Sequence, residues 1–130
     1  VALGGYPLGF KVCEDVHFLT RLVARSRRVG VACSLLAAYL IHGASATRRD
    51  PVQAQRENVR TLCDLRRLTG GFPPAVRRGV RTRMRLGRLN LGYALCRQGS
   101  RGDALRAVLP SLIEAPGMAS LRDVLSIARG

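Results

Sequence analysis

The sequence predicts an α/β fold in two parts. Residues 1–50 carry a helix and a short strand pair, and residues 51–130 form an all-helical extension. Three observations carry this reading. Apolar residues recur at helical spacing from about Glu14 to Ser26. Two short apolar runs follow, Arg28 to Ser34 and Leu35 to Ile41. From Asp50-Pro51 onward, Pro and Gly punctuate long segments of helical pattern.

Residues 1–12 read as loop, because Gly4, Gly5, Gly9 and Pro7 interrupt regular structure. At 100° per residue, Val16, Phe18, Leu19, Leu22 and Val23 share one arc of the first helix. Glu14, Arg21 and Arg25 fall opposite, which pairs Glu14 with the arginines. Asp15 falls within the apolar arc and is expected to face the packed side, with His17 at a surface or boundary position. Val29 and Val31 mark a short strand with Gly30 inside it. Leu35 to Ile41 is apolar enough for a buried strand, although its alanines leave a helix open. His42-Gly43-Ala44-Ser45 ends this run in a small-residue loop.

Asp50 and Pro51 are an N-cap followed by a first-turn proline. Val52, Val59, Leu62 and Cys63 give that helix an apolar face, and Gly70-Gly71 stops it. Pro73-Pro74 opens a helix that can continue to Gln98. Val76, Val80, Met84, Leu91 and Leu95 supply its apolar surface. Arg77, Arg81, Arg85 and Arg88 recur at spacings of 4, 4 and 3 and predict one charged stripe. Gly79, Gly87 and Gly92 each cost a helix about 1 kcal/mol against Ala, so they either break it or admit a close neighbour. Gly99 ends it. Asp103 to Ala115 and Ser120 to Arg129 read as two more helices around Pro116-Gly117. The order Gly92, Gly99, Ala104, Pro116 resembles a tetratricopeptide-type hairpin at about residues 86–116.

The chain has 130 residues and 47% hydrophobic content, enough for a packed core. Its formal net charge is +14, and Lys11 is the sole lysine. That balance favours phosphate-bearing partners: nucleic acid, an anionic membrane surface, or nucleotide and lipid phosphates. Trp is absent and aromatics are 5%, which disfavours a stacking-based single-strand binder. Cys13, Cys33, Cys63 and Cys96 follow no zinc spacing and read as reduced, buried thiols. The longest apolar run is too short to span a bilayer. The start at Val1, with no secretory pattern, reads as a piece whose beginning lies elsewhere.

Asp15 has two readings. It is a first-turn carboxylate favoured by the helix dipole, or a general base for a hydroxyl nucleophile. Glu14 and His17 match a di-iron helix spacing, but that site needs a second such pair, which is missing. His42 is either a structural histidine or a metal ligand completed by oxygens from elsewhere. No Ser/His/Asp order, phosphate-binding P-loop or dinucleotide fingerprint is present.

Gly4-Gly5-Tyr6, Cys13-Glu14-Asp15, Phe18, Arg21-Leu22, Val29-Gly30-Val31, Leu36 to Tyr39, His42 and Ser45 together resemble a known family. They look like the second half of the catalytic domain of family 2 glycosyltransferases with the A-type fold, over about residues 3–48. The resemblance implies a partial A-type nucleotide-diphospho-sugar transferase fold whose nucleotide-binding half, with its Asp-x-Asp motif, lies upstream. It implies Asp15 as the catalytic base that deprotonates an acceptor hydroxyl, which attacks the anomeric carbon with inversion. It implies His42 at the donor diphosphate and its Mg²⁺ or Mn²⁺, and Gly4, Gly5 and Glu14 on the acceptor side. Leu40 and Ile41 depart from relatives that carry Arg beside the Tyr. The implied partners are a nucleotide-sugar donor and a sugar or lipid-linked hydroxyl acceptor. The implied location is cytoplasmic, with peripheral contact at the inner face of an anionic membrane, and nucleic acid is disfavoured. The competing reading is a basic helical module that binds nucleic acid or an anionic membrane through Arg77, Arg81, Arg85 and Arg88. A third is a repeat-type scaffold over residues 86–129.

Overall fold

The computed structural model describes residues 4–26, 28–30, 33–34 and 45–129. Among them are seven helices and no strand: α1 (Glu14–Arg25), α2 (Ala46–Arg49), α3 (Pro51–Leu68), α4 (Pro74–Arg97), α5 (Arg101–Val108), α6 (Ser111–Glu114) and α7 (Met118–Arg129). The described chain is thus an all-helical bundle, which corrects the α/β expectation and the A-type transferase fold that rested on it. Arg28, Val29 and Gly30 belong to no strand among the described residues, and Val29 is exposed. A short segment with a glycine inside it is weakly disposed to a ladder, and no strand among the described residues is there to pair with it. The second expected strand, Leu35 to Ile41, lies outside the described residues.

Helix boundaries follow local chemistry. The Asp50 side chain accepts a hydrogen bond from the Gln53 N–H at 2.8 Å and caps α3, with Pro51 in the first turn. The five residues between α3 and α4 return the chain sharply, so the two helices pack along each other. Helix α4 runs unbroken through Gly79, Gly87 and Gly92. Asp103 to Ala115 is not one helix, because Pro110 divides it into α5 and α6. Its missing N–H and its ring clash with the preceding turn force the break.

The core joins the two ends of the chain's helical part. Val52 at the start of α3 meets Leu91, Ala94 and Leu95 of α4, Ala104 and Val108 of α5, and Ile127 of α7. Two glycines permit the close approach. A Cβ on Gly92 would stand 2.5 Å from Val108 Cγ2, and one on Gly87 would stand 3.0 Å from Leu62 Cδ1. Ion pairs close the rim. Arg88 Nε and Nη2 donate to Glu114 Oε2 and Oε1 at 2.7 and 2.8 Å, and Arg66 reaches the same carboxylate at 3.3 Å. The Glu114 bonds hold the Arg88 guanidinium above its ordinary value, against burial that lowers it. Arg85 pairs with Asp123 of α7 at 3.6 Å.

Candidate functional site

The loop before α1 is fixed by a group on another helix. Glu57 of α3 is 3% exposed, and its carboxylate accepts the backbone N–H groups of Lys11, Val12 and Cys13 at 2.7, 2.9 and 2.9 Å. Gln53, one turn earlier, donates its amide to the same carboxylate at 2.7 Å. Burial alone would raise the Glu57 carboxyl. The bonds from Lys11, Cys13, Gln53 and Val12 outweigh it and hold the group below its ordinary value. The Cys13 thiol donates to the Ala54 carbonyl at 3.6 Å, and burial, followed by the Glu57 charge, pushes it up.

This clamp sets the start of α1, where Glu14 and Asp15 stand. Asp15 is exposed, and its Oδ1 accepts the Val16 N–H at 2.7 Å. Glu14 is half-buried, and its Oε2 is buried without a partner. The expected division is therefore reversed: Asp15 faces water rather than the packed side. Among the described residues Glu14 makes no ion pair with Arg21 or Arg25. Gly4 and Gly5 adopt φ of 72° and 63°, a left-handed turn that brings the Gly5 carbonyl to Arg21 Nη2 at 3.4 Å. Gly4 and Gly5 thus stand against Arg21, about two turns along α1 from Glu14 and Asp15, which occupy its first turn. His42 and Tyr39 lie outside the described residues.

His17, expected at a surface or boundary position, is the buried residue of α1 among the described residues. Its Nε2 donates to Asp64 Oδ2 at 3.1 Å, and its ring packs on Phe10 at 4.9 Å between centroids. Arg60 covers the other partner, its guanidinium carbon 4.9 Å from the Phe10 centroid. The predicted apolar arc is largely uncovered. Val16, Leu19, Leu22 and Val23 stay exposed.

Two grooves run along α1 where it meets α3. One holds about 380 Å³ and is lined by Leu19, Val23, Leu65, Phe72, Val76 and Val80. The other holds about 320 Å³ and is lined by His17, Arg21, Arg25, Asp64, Arg67 and Leu68. No residue lines both.

The expected arginine stripe of α4 is divided. Arg85 and Arg88 are consumed by Asp123 and Glu114, whereas Arg77 and Arg81 are exposed. Arg78 and Arg83 are exposed beside them, and none of these four has an acidic partner among the described residues.

Among the described residues no group of three or more His, Cys, Asp or Glu side chains could hold a metal ion. The described donors do not fit Mg²⁺ or Mn²⁺, and the residue expected at that site, His42, is not among them. The four cysteines are free; Cys33 is exposed and the other three are half-buried rather than buried. No described helix is long and apolar enough to cross a membrane.

Glu57 and Asp64 were not legible as site residues. A signal existed for the first. Ala54, Glu57, Thr61, Leu65 and Leu68 recur at spacings of 3 and 4, so a carboxylate sits in an otherwise small and apolar stripe. Asp64 carried no such mark, because its partner His17 is 47 residues away.

Comparison of the chain with family models, with curated proteins and with solved structures finds no match.

Proposed function

We propose that the chain is a basic helical module that attaches peripherally to an anionic membrane surface. The observation that carries this is the apolar groove along α1, α3 and α4, edged by arginines of α4 that have no acidic partner among the described residues. Leu19, Val23, Phe72 and Val76 offer half-exposed apolar surface. Arg77 and Arg81 follow the groove residues Val76 and Val80 directly, and Arg83 returns to within about 20° of Val76 around the helix. Exposed apolar side chains between cations suit the boundary of headgroups and acyl chains. Each arginine near such a surface contributes about 1 kcal/mol, so charge alone is marginal and the apolar insertion supplies the rest. A nucleic-acid surface would leave these apolar groups against phosphates, and few aromatics are present for stacking.

The test is sedimentation with vesicles of phosphatidylcholine alone or mixed with phosphatidylglycerol. Binding should require the anionic lipid, fall with salt, and weaken at least about tenfold in Arg77→Glu/Arg81→Glu. Leu19→Asp/Val23→Asp should weaken it while leaving the far-UV spectrum intact. Equal binding to neutral vesicles, or binding to duplex DNA with none to vesicles, overturns the reading.

A second reading is favoured by the Glu57 clamp, which fixes residues 11–13 immediately before an exposed carboxylate. In it Asp15 is the general base that takes the proton of an acceptor hydroxyl during inverting transfer of a sugar from a nucleotide-diphosphate donor. The donor site, and any Mg²⁺ or Mn²⁺ with His42, would lie beyond the described residues. Asp15→Asn would then abolish turnover and spare donor binding; undiminished transfer would eliminate this role.

A further inference from the structure

The polar cleft between α1 and α3 stands apart from the membrane face, on the other side of α1. We infer that it is a binding site for a phosphoryl dianion, held by Arg21, Arg25 and Arg67 with His17 at its wall.

Three guanidinium groups line this cleft against one carboxylate, Asp64. That carboxylate is already engaged on both oxygens. Oδ2 accepts from His17 at 3.1 Å, and Oδ1 accepts from Arg67 at 3.4 Å. It therefore orients two members of the site and offsets one of the three positive charges, leaving an excess of two. Arg25 is exposed and has no acidic partner among the described residues. Arg21 spends one nitrogen on the Gly5 carbonyl, while its Nε is buried and unpartnered. His17 is buried, its side chain 6% exposed, and its Nδ1 is likewise unpartnered.

His17 Nδ1, with Nε2 donating to Asp64, is a lone-pair acceptor and calls for no anion. A buried N–H donor is rarely left without a partner, so Arg21 Nε needs a reason. A tetrahedral oxyanion supplies it. Its oxygens match the planar fork of Arg, and several can be served at once. The volume of about 320 Å³ admits a phosphate, a diphosphate or a phosphomonoester headgroup. A wider, purely apolar ligand is disfavoured, because the polar groups would stay unpaired.

The membrane reading is not required here, since no residue lines both grooves. The phosphoryl group can belong to free phosphate or to a lipid such as phosphatidic acid, and the experiment separates the two. The chain is titrated with inorganic phosphate, with pyrophosphate, and with monomeric dihexanoyl phosphatidic acid, with detection by NMR of the His17 ring and Arg Nε–H resonances. Saturable shifts at His17 and Arg21 are expected with at least one probe. Saturation with phosphate or pyrophosphate assigns a free ligand, and saturation with the lipid alone assigns a headgroup. Arg25→Gln and Arg67→Gln, at exposed positions that need not disturb the fold, should each weaken binding about tenfold. Their melting curves serve as the folding control. Shifts that rise linearly on all arginines, no saturation with any probe, or unchanged affinity in both variants would overturn the site. Loss of vesicle binding in Arg77→Glu/Arg81→Glu, with phosphate binding intact, keeps the two proposals separate.

Discussion

The bundle of α4 to α7 and the face of α1 use the same residues, arginine among small and branched apolar side chains, and close differently. In the bundle, arginines are consumed: Arg88 by Glu114 and Arg85 by Asp123. Small residues let backbones approach, as at Gly92 against Val108, and the apolar side chains between them are fully buried. Along α1 the buried residue is a histidine paired with Asp64, and four apolar side chains face outward. With only 8 acidic residues against 22 basic ones, the carboxylates decide which arginines become structural. Those left without one, on the first half of α4 and along α1, define the surfaces available for anions.

The strongest way to break this comparison is to remove a carboxylate from the bundle. Glu114→Ala should cost about 3–4 kcal/mol, because it leaves the largely buried Arg88 uncompensated. Denaturant melts read this directly. A loss below about 1 kcal/mol would mean that the pair behaves as a surface ion pair and that the bundle is closed by packing alone.

Glu57 tests the α1 side. Glu57→Gln keeps the size but removes the charge that accepts three N–H groups, and should cost about 2–3 kcal/mol. It also carries a pH signature. The folded-state carboxyl is held below its ordinary value of about 4.5. The unfolded chain therefore takes up the proton first as the solution is acidified. The contribution of Glu57 is fully present above the unfolded value and is lost as pH falls through the folded one. Wild type should lose stability over that acid range more steeply than Glu57→Gln; parallel pH profiles would rule out the clamp.

What was readable in the sequence was what is decided locally. Asp50-Pro51, Gly70-Gly71, Pro73-Pro74 and Gly99 each terminate or start a helix through their own backbone chemistry, and the helices begin or end beside them. Pro110 carries the same kind of signal, and it divides a segment whose apolar pattern continues across it. The side of α1 that packs was not readable, because α3 decides it. Asp64 draws His17 inward although the helix's own pattern favours Leu19 and Val23. The short strand expected around Val29 fails for a related reason: Val29 has β propensity, but no strand among the described residues pairs with it. Asp15 and Glu14 were legible as a pair beside a glycine loop. Their orientation was not, since it depends on Glu57, more than 40 residues away.

The finest comparison lies within α4 itself. Gly79 and Gly92 are both interior glycines of one continuous helix. A Cβ at Gly79 meets nothing within 4 Å, whereas one at Gly92 runs into the buried Val108 and stands 3.3 Å from Ile127 Cδ1. The helix-propensity gain on Gly→Ala is the same for both, up to about 1 kcal/mol. At Gly92 overpacking outweighs it, so Gly92→Ala should destabilise by about 1–2 kcal/mol net. At Gly79 nothing opposes it, so Gly79→Ala should stabilise by about 0.5–1 kcal/mol. Opposite signs in paired thermal melts would show that the first half of α4 is open where its second half is closed. Destabilisation at both positions would mean that something covers the Arg77–Arg81 face, and would count directly against its use as a membrane-facing surface.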